Sequence, residues 1–532
     1  MNENMLNQLV VKADSSHLDK GGGLMLTGSS VSVGLPFEPT RYLRHGWQSW
    51  TLTAWVDVDK HYPPLKPALL QPMHTDPVYA NLKNPNGSWY GAVEAPNGKV
   101  LMLGALDLES HVELEGRTLR GWYESGQGDW FVGIGDEVEV FNRYAKLLGG
   151  RLGTRRIGKP PRVWCSWYGL YHQIDEVCLD KIIADLGDLP FDVIQVDDGW
   201  QRGIGDWDAN EKFPSGMKAL AERIKASGRT AGLWLAPLIV VPSSTLYREH
   251  PDWLLRDEKG KRASAGFNWG ESLLALDSTH PEVLEWLVAL MNKVRSWGYG
   301  YVKLDFLYAG ALPGKRAVDL PREAAYRNGL RAIREALGDT YFLTCGAPIF
   351  PSLGLCDGMR VGPDVAEDWE NLLLTGLLQD YSNGGARDAL RTAFNRLWLQ
   401  PLVSTDPDVV YFRSTRNRLT AEQKRLLQDL ALISGFKATS DIPAWMTDTE
   451  RSALREFLDA DPEIWRTGRT SYQIGRRQVD FGSYIQMPAP ARFPLSLLGQ
   501  IAGSLADWPG SIILFDKWLR RSLRKWLKVH PV

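Results

Sequence analysis

Acidic residues follow two of the most apolar segments of this chain, and their spacing is its strongest chemical signal. In YVKLDF, Lys303 and Asp305 are two residues apart, so both side chains lie on one face of a strand. A cation beside a carboxylate favours the ionised form that acts as a nucleophile. In RVGPD, Arg360 and Asp364 end another apolar run. Two facing carboxylates can cleave a glycosidic bond, with retention at a separation of about 5 Å and inversion at about 6.5–9.5 Å.

Adjacent acids in QVDDGW, Asp197 and Asp198, end a third apolar segment. Neighbouring carboxylates either ligate a divalent metal or accept hydrogen bonds from sugar hydroxyls. A metal site needs several further oxygen or imidazole ligands, whereas the other strand ends offer Trp, Cys, Lys and Arg. We therefore expect Asp197 and Asp198 to bind sugar hydroxyls, and we expect no metal site.

Aromatic residues accompany these acids. Trp234 ends the segment LWLAP, and Trp47 and Trp50 in GWQSW are expected to share one face. Flat rings suit the apolar face of a sugar, although each of these residues is equally compatible with core packing. His172 in WYGLYHQ belongs to no metal-ligand or catalytic spacing, so we expect it to be a loop residue.

The segments that carry the acids alternate with helical patterns, as parallel βα units do. Residues 156–460 contain eight candidate strands, namely RVWCSWYG, FDVIQVDDGW, TAGLWLAPL, GYVKLDFLY, YFLTCGAP, GMRVGPD, LVSTDPDVVYF and a short one near KATSD. Polar residues repeatedly occupy the carboxyl ends, which meet at one mouth if the sheet closes. This favours a (β/α)8 TIM barrel over a doubly wound open sheet.

Two further regions flank the predicted barrel. Residues 1–155 alternate apolar and polar residues between Gly, Pro, Asn and Asp, which predicts a β-rich domain ending in a linker. Residues 461–532 are expected to form a short C-terminal β domain with an atypical tail. The tail from residue 516, DKWLRRSLRKWLKVHPV, predicts a basic amphipathic helix that either attaches weakly to a membrane surface or packs against protein.

Composition narrows the function classes. The 532 residues include 61 basic and 63 acidic side chains in a mixed pattern, for a net charge of −2. The small net charge therefore gives no electrostatic attraction for nucleic acid or acidic lipid. The expected partner is a neutral small molecule. The apolar stretch 493–515 contains Asp and Pro, so we expect no membrane span. Four scattered cysteines and a start without a secretory pattern predict a reducing, cytoplasmic location.

Taken together and in order, these motifs resemble the compact bacterial α-galactosidases of glycoside hydrolase family 36. The resemblance runs from GWQSW through WCSWY, VDDGW, LWLAP, VKLDF, CGAP and GMRVGPD to STDPD, over about 360 residues. It implies an N-terminal β-sandwich, a catalytic barrel and a small C-terminal β domain. After about residue 465, only the fragment YQIGRRQVDFGSYI matches the expected C-terminal domain.

The resemblance also implies roles for individual residues. Asp305 takes the nucleophile position and Asp364 the acid/base position in a retaining mechanism without metal or other cofactor. The residues expected to bind galactose hydroxyls or to shape the pocket are Asp197, Asp198, Lys303, Arg360, Trp50, Trp234, Cys345 and Gly346. The expected substrates are terminal α-galactosides of the melibiose and raffinose type.

Other functions fit the same residues. An α-N-acetylgalactosaminidase or a galactosyl transferase would use the same chemistry and differ around the 2-hydroxyl, near Cys345 and Gly346. A non-catalytic sugar-binding barrel would keep the tryptophans but could lose a carboxylate. A metal-dependent hydrolase would rely on Asp197 and Asp198 and would lose activity in chelator.

Overall fold

The computed structural model describes residues 9–490, apart from residues 20, 61, 63–67, 96, 157, 372–374, 376–379 and 383, together with residues 498 and 501. Most of the apolar stretch 493–515 and the whole predicted basic tail from residue 516 lie outside the described residues. Within the described part, no helix combines the length and the apolar character needed to cross a bilayer.

The N-terminal region forms two antiparallel sheets packed face to face. Their strands are β1 Val10–Lys12, β2 Ser15–Asp19, β3 Gly23–Gly28, β4 Ser30–Gly34, β5 Arg41–Arg44, β6 Ala54–Asp57, β7 Asn86–Ser88, β8 Tyr90–Glu94, β9 Val100–Ala105, β10 Ser110–Glu115, β11 Thr118–Tyr123 and β12 Gly128–Gly135. The strand orders are β1-β4-β11-β10-β7 and β2-β3-β12-β9-β8-β5-β6. Val33 and Leu119 of the first sheet share a core with Leu26, Leu103 and Trp130 of the second. The predicted β-sandwich is therefore confirmed.

Among the described residues of this part, the α-helices are α1 Gln71–His74 and α2 Glu137–Leu152. The longer one turns an apolar face inward through Val140, Tyr144 and Leu148, as the pattern EVEVFNRYAKLL predicts. It leads into the segment before the barrel.

The central region contains strands β13 to β25. They are β13 Val163–Cys165, β14 Val193–Val196, β15 Gln201–Gly203, β16 Asp206–Ala209, β17 Thr230–Leu235, β18 Ile239–Val240, β19 Ser264–Asn268, β20 Glu271–Ala275, β21 Tyr301–Leu304, β22 Tyr341–Thr344, β23 Gly358–Arg360, β24 Ser404–Asp406 and β25 Ala438–Thr439. Eight of them form one sheet, in the order β24-β23-β22-β21-β17-β14-β13-β25, and these are the eight strands that the sequence predicts.

Neighbouring strands of this sheet run parallel, and the sheet closes on itself. A parallel bridge joins Val410, just after β24, to Thr439 in β25, and the Val410 amide donates to the Ala438 carbonyl at 2.8 Å. The (β/α)8 barrel is therefore confirmed, and the alternative of an open doubly wound sheet is wrong.

Helices separate the barrel strands. They are α3 Trp167–Leu170, α4 Glu176–Leu186, α5 Gly216–Ala226, α6 Thr245–Glu249, α7 Pro281–Ser296, α8 Arg322–Leu337, α9 Ile349–Ser352, α10 Ala386–Phe394 and α11 Ala421–Ser434. The short helices α3, α6 and α9 are not predicted by the sequence, whereas the longer ones are. Helix α11 shows why the ends of a helix can be predicted from the sequence. Thr420 and Gln423 form a capping box at its start, and Gly435 ends it with a φ of 77°.

The C-terminal elements are α12 Asp448–Asp459, β26 Ile464–Arg466, β27 Ser471–Ile474, β28 Arg477–Asp480 and α13 Gly482–Ile485. The three strands form an antiparallel sheet, so the fragment that matched the expected C-terminal domain is its β27–β28 hairpin. Arg477 attaches this sheet to the barrel by pairing with the buried Asp429 of α11.

Candidate functional site

Asp305 lies at the floor of the barrel mouth, directly after β21. Its carboxylate is 7% exposed and accepts hydrogen bonds from the Trp234 indole at 3.0 Å and the Phe306 amide at 2.9 Å. Phe306 has a φ of 54°, a left-handed conformation that costs energy in a bulky residue and is enriched at functional sites. The backbone after β21 is thus bent to hold Asp305 at the pocket floor.

The pKa of Asp305 is raised above its ordinary value because burial disfavours the charge. The Lys303 charge and the hydrogen bonds from Trp234 and Cys345 oppose this effect. Lys303 thus favours the ionised form of Asp305, as expected from the sequence, against the larger opposing effect of burial at the bottom of a closed mouth.

Lys303 makes its ion pair with a different acid. Its Nζ lies 3.0 Å from Asp197 Oδ2, and both side chains are almost fully buried. The same oxygen accepts a 2.6 Å hydrogen bond from Gln195. Lys303 therefore neutralises Asp197 directly and acts on Asp305 through space.

The Asp198 carboxylate has hydrogen-bond partners that differ from those of Asp197. Its carboxylate accepts from Gln201 at 2.5 Å and from the Trp269 indole at 2.8 Å. Burial raises the pKa of Asp198. The side chains of the two adjacent acids thus have different side-chain partners, although the Asp198 amide donates to Asp197 Oδ1 at 2.9 Å. No group of three or more acidic, His or Cys residues in the described ranges could hold a metal ion.

Arg360 is the centre of a carboxylate cluster on the other side of the mouth. Its guanidinium contacts Asp364 at 3.2 Å, Asp406 at 3.1 Å and Asp408 at 2.7 Å. Asp408 also accepts a hydrogen bond from the Tyr168 hydroxyl. Arg360, Asp406 and Asp408 are buried, whereas the Asp364 side chain is 44% exposed. Asp364 is thus held at one oxygen and open to solvent.

Burial raises the pKa of Asp408, and the Arg360 charge opposes this shift. The Asp408 φ of 85° is another left-handed backbone at the mouth.

Trp50 reaches the mouth from the N-terminal sandwich of the same chain. Its ring packs edge-on against Phe306 at a centroid distance of 5.1 Å. A Cβ on Gly346 would lie 2.9 Å from the Trp50 ring, and Gly346 has a φ of 50°, so glycine is needed here. The adjacent Cys345 thiol is buried between the charges of Asp305 and Arg360. These residues form one wall of the pocket.

Trp47 does not share this wall. Residues 46–52 form a turn instead of a regular strand, so the expectation that Trp47 and Trp50 share one face is wrong. The Trp47 indole instead donates to the buried Glu323 carboxylate at 2.9 Å. His172 lies in a short 3-10 turn, Tyr171–Gln173, and its backbone packs against Gly199, which follows Asp198.

The mouth thus assembles all ten predicted site residues, and three further ones that we did not assign. Asp406 and Asp408 stand in the STDPD motif, whose position at a strand end was the available signal. Trp269 lies in the β19–β20 hairpin, which is not one of the alternating strand and helix units of the barrel. No sequence pattern therefore marks Trp269 as a site residue. Its φ of 51° and its bond to Asp198 show it to be part of the pocket wall.

A closed barrel whose mouth is lined by paired carboxylates and indoles defines the class of barrel glycoside hydrolases. The family described as melibiase matches residues 139–338. A curated relative, the α-galactosidase AgaA of Geobacillus stearothermophilus, is 31% identical over 201 residues. That match covers 35% of this chain and 26% of the relative, so the chain spans about a quarter of the length of this curated relative.

Solved structures extend the similarity over nearly the whole chain. The α-galactosidase TtGalA of Thermus thermophilus, in complex with p-nitrophenyl α-D-galactopyranoside, has a TM-score of 0.86 and 45% identity, covering 90% of this chain and 97% of that one. A second structure of it holds stachyose. AgaA has a TM-score of 0.56 at 19% identity over 85% of this chain and 65% of that one, which shows a shared fold. This chain belongs to the α-galactosidases of glycoside hydrolase family 36.

Proposed function

We propose that this protein hydrolyses terminal α-D-galactosyl residues with net retention, using Asp305 as nucleophile and Asp364 as acid/base. The observation that carries the proposal is the contrast between the two carboxylates. Asp305 is buried under Trp234, whereas 44% of the Asp364 side chain remains exposed. A nucleophile needs a fixed position under the sugar, and an acid/base residue must reach both a departing group and water.

The proposed reaction has two displacements. A protonated Asp364 donates its proton to the glycosidic oxygen while an Asp305 oxygen bonds to the anomeric carbon and the bond to the leaving group breaks. Asp364, now ionised, then takes a proton from water. The resulting hydroxide displaces the Asp305 ester and releases galactose in its original configuration.

The binding residues support a small pocket for one terminal galactose. Asp197, Asp198 and Lys303 supply acceptors and a donor at the floor, and Trp50 covers one side. The Trp50 ring lies so close to Gly346 that not even a methyl group fits between them. The α-galactosides bound to TtGalA are consistent with substrates of the melibiose and raffinose type.

The test is hydrolysis of p-nitrophenyl α-D-galactoside by wild type, Asp305→Ala and Asp364→Ala, with and without azide. We expect both variants to lose at least about 100-fold in kcat, as removal of a catalytic carboxylate does. Azide should give the β-galactosyl azide with Asp305→Ala and the α-galactosyl azide with Asp364→Ala, because only the second variant still forms the covalent intermediate.

Each variant serves as the experimental control for the other, because each removes one carboxylate from the same barrel mouth. The same azide anomer from both variants would contradict the assigned roles. A wild type that does not cleave α-galactosides would contradict the substrate.

A further inference from the structure

Arg396, between α10 and the following turn, binds backbone carbonyls in two parts of the chain that the barrel brings together. The side chain is fully buried. Its guanidinium donates five hydrogen bonds of 2.6–3.0 Å, to the carbonyls of Gly46, Gln48, Ser49, Thr51 and Val361. Four of these carbonyls belong to the turn of the N-terminal sandwich that carries Trp50.

This turn combines a hydrogen bond of its own, from the Thr51 amide to the Gln48 carbonyl at 3.0 Å, with contacts to the barrel. Residues 46–51 have no regular secondary structure of their own. The turn is attached to the segment after β22 by hydrogen bonds from the Ser49 amide to the Ala347 carbonyl and from the Ile349 amide to the Trp47 carbonyl, both 3.0 Å. Carbonyls that converge on one point repel each other unless a cation lies between them. The guanidinium therefore holds the turn closed.

The fifth carbonyl links Arg396 to the acid/base side of the mouth. Val361 follows Arg360 directly and precedes Asp364 by three residues. One rigid guanidinium thus contacts both the turn that presents Trp50 and the strand end that presents Asp364. The planar, multiply donating group suits this task, whereas a lysine ammonium cannot reach five acceptors.

We propose that Arg396 is a positioning residue that holds Trp50 against the sugar pocket. It also fixes the position of Trp50 relative to the strand end that carries Asp364. The inference rests on the proposed function, because it assigns Trp50 to the galactose site. Arg396 touches neither substrate nor the reacting atoms, so it acts through the turn.

A double-mutant cycle on inhibition by D-galactose tests the coupling. We expect Arg396→Lys to raise the galactose Ki by about tenfold when Trp50 is present, and by less than about twofold in a Trp50→Ala background. Arg391→Lys is the matched control. Arg391 is also fully buried but pairs with Asp388 in its own helix, so the Ki should stay within about twofold.

Hydrogen exchange of the amides of residues 46–51 gives a readout that needs no ligand. We expect faster exchange in Arg396→Lys than in wild type or Arg391→Lys. Equal effects of Arg396→Lys with and without Trp50, or unchanged exchange of the turn, would overturn the proposal. Arg396→Gln serves as second variant if the lysine variant does not fold, and failure of both to fold would also overturn it.

The two proposals fail in different ways. A wild type that neither cleaves α-galactosides nor is inhibited by galactose refutes the proposed function. The exchange experiment still decides in that case whether Arg396 holds the turn.

Discussion

Replacing Lys303 by Met separates the two effects of this buried cation. Lys303 and Asp197 are 4% and 3% exposed, with 3.0 Å between Nζ and Oδ2. Removing one partner of a buried pair leaves an uncompensated charge and costs about 3–5 kcal/mol. We expect the Tm of Lys303→Met to fall by at least about 5 °C.

The same substitution should change the pH dependence of activity. The Lys303 charge lowers the pKa of Asp305 and thereby opposes burial. Without it the pKa rises further, so the ionised nucleophile is lost at a higher pH as the solution is acidified. The acidic limb of kcat/KM, which reports the free enzyme, should therefore move to higher pH.

The double variant Lys303→Met/Asp197→Asn tells the two effects apart. It removes both charges, and replacing a whole buried pair by neutral groups is often close to neutral for stability. Most of the lost Tm should return, while the acidic limb stays displaced. An acidic limb that returns to its wild-type position would refute a direct action of Lys303 on Asp305, and an unchanged Tm in the single variant would refute the ion-pair argument.

Two further substitutions probe the pocket floor and wall. Trp234→Phe removes the indole hydrogen bond to Asp305, so the acidic limb of kcat/KM should move up by as much as about one pH unit; an unmoved limb would contradict the role of that bond. Gly346→Ala forces a Cβ against Trp50 at a positive φ, so we expect a loss of about 1–3 kcal/mol in stability and a higher KM, measured by thermal unfolding and steady-state kinetics. A normal KM would show that Trp50 does not line the sugar pocket.

The sequence predicts the barrel, and which residues lie at its mouth, because both follow from local patterns. Each apolar run forms a strand, and the polar residue after it must lie at the carboxyl end. Closure of the sheet then brings Asp197, Asp305 and Asp364 together without any further information.

What could not be predicted depends on contacts between distant segments. Arg396 lies in FNRLW, an ordinary helical pattern, and only the folded chain places it among the carbonyls of residues 46–51. Glu323 lies in the first turn of α8, where an acid is favoured by the helix dipole alone, yet it also accepts hydrogen bonds from Trp47 and Trp89. The net pKa shift of Asp305 is another property that local patterns do not give, since burial depends on the whole mouth.

The excess of carboxylates at the barrel mouth fits a reaction in which positive charge develops on the substrate. Carboxylates outnumber the two cations Lys303 and Arg360, and both cations are already paired with acids. A neutral galactoside gains little from such a field. An oxocarbenium-like transition state carries positive charge at the anomeric carbon, so preoriented carboxylates stabilise it more than the ground state. Burial strengthens this preference while it raises the pKa of Asp305, so the same low polarity that favours the transition state also sets the acidic limit of activity.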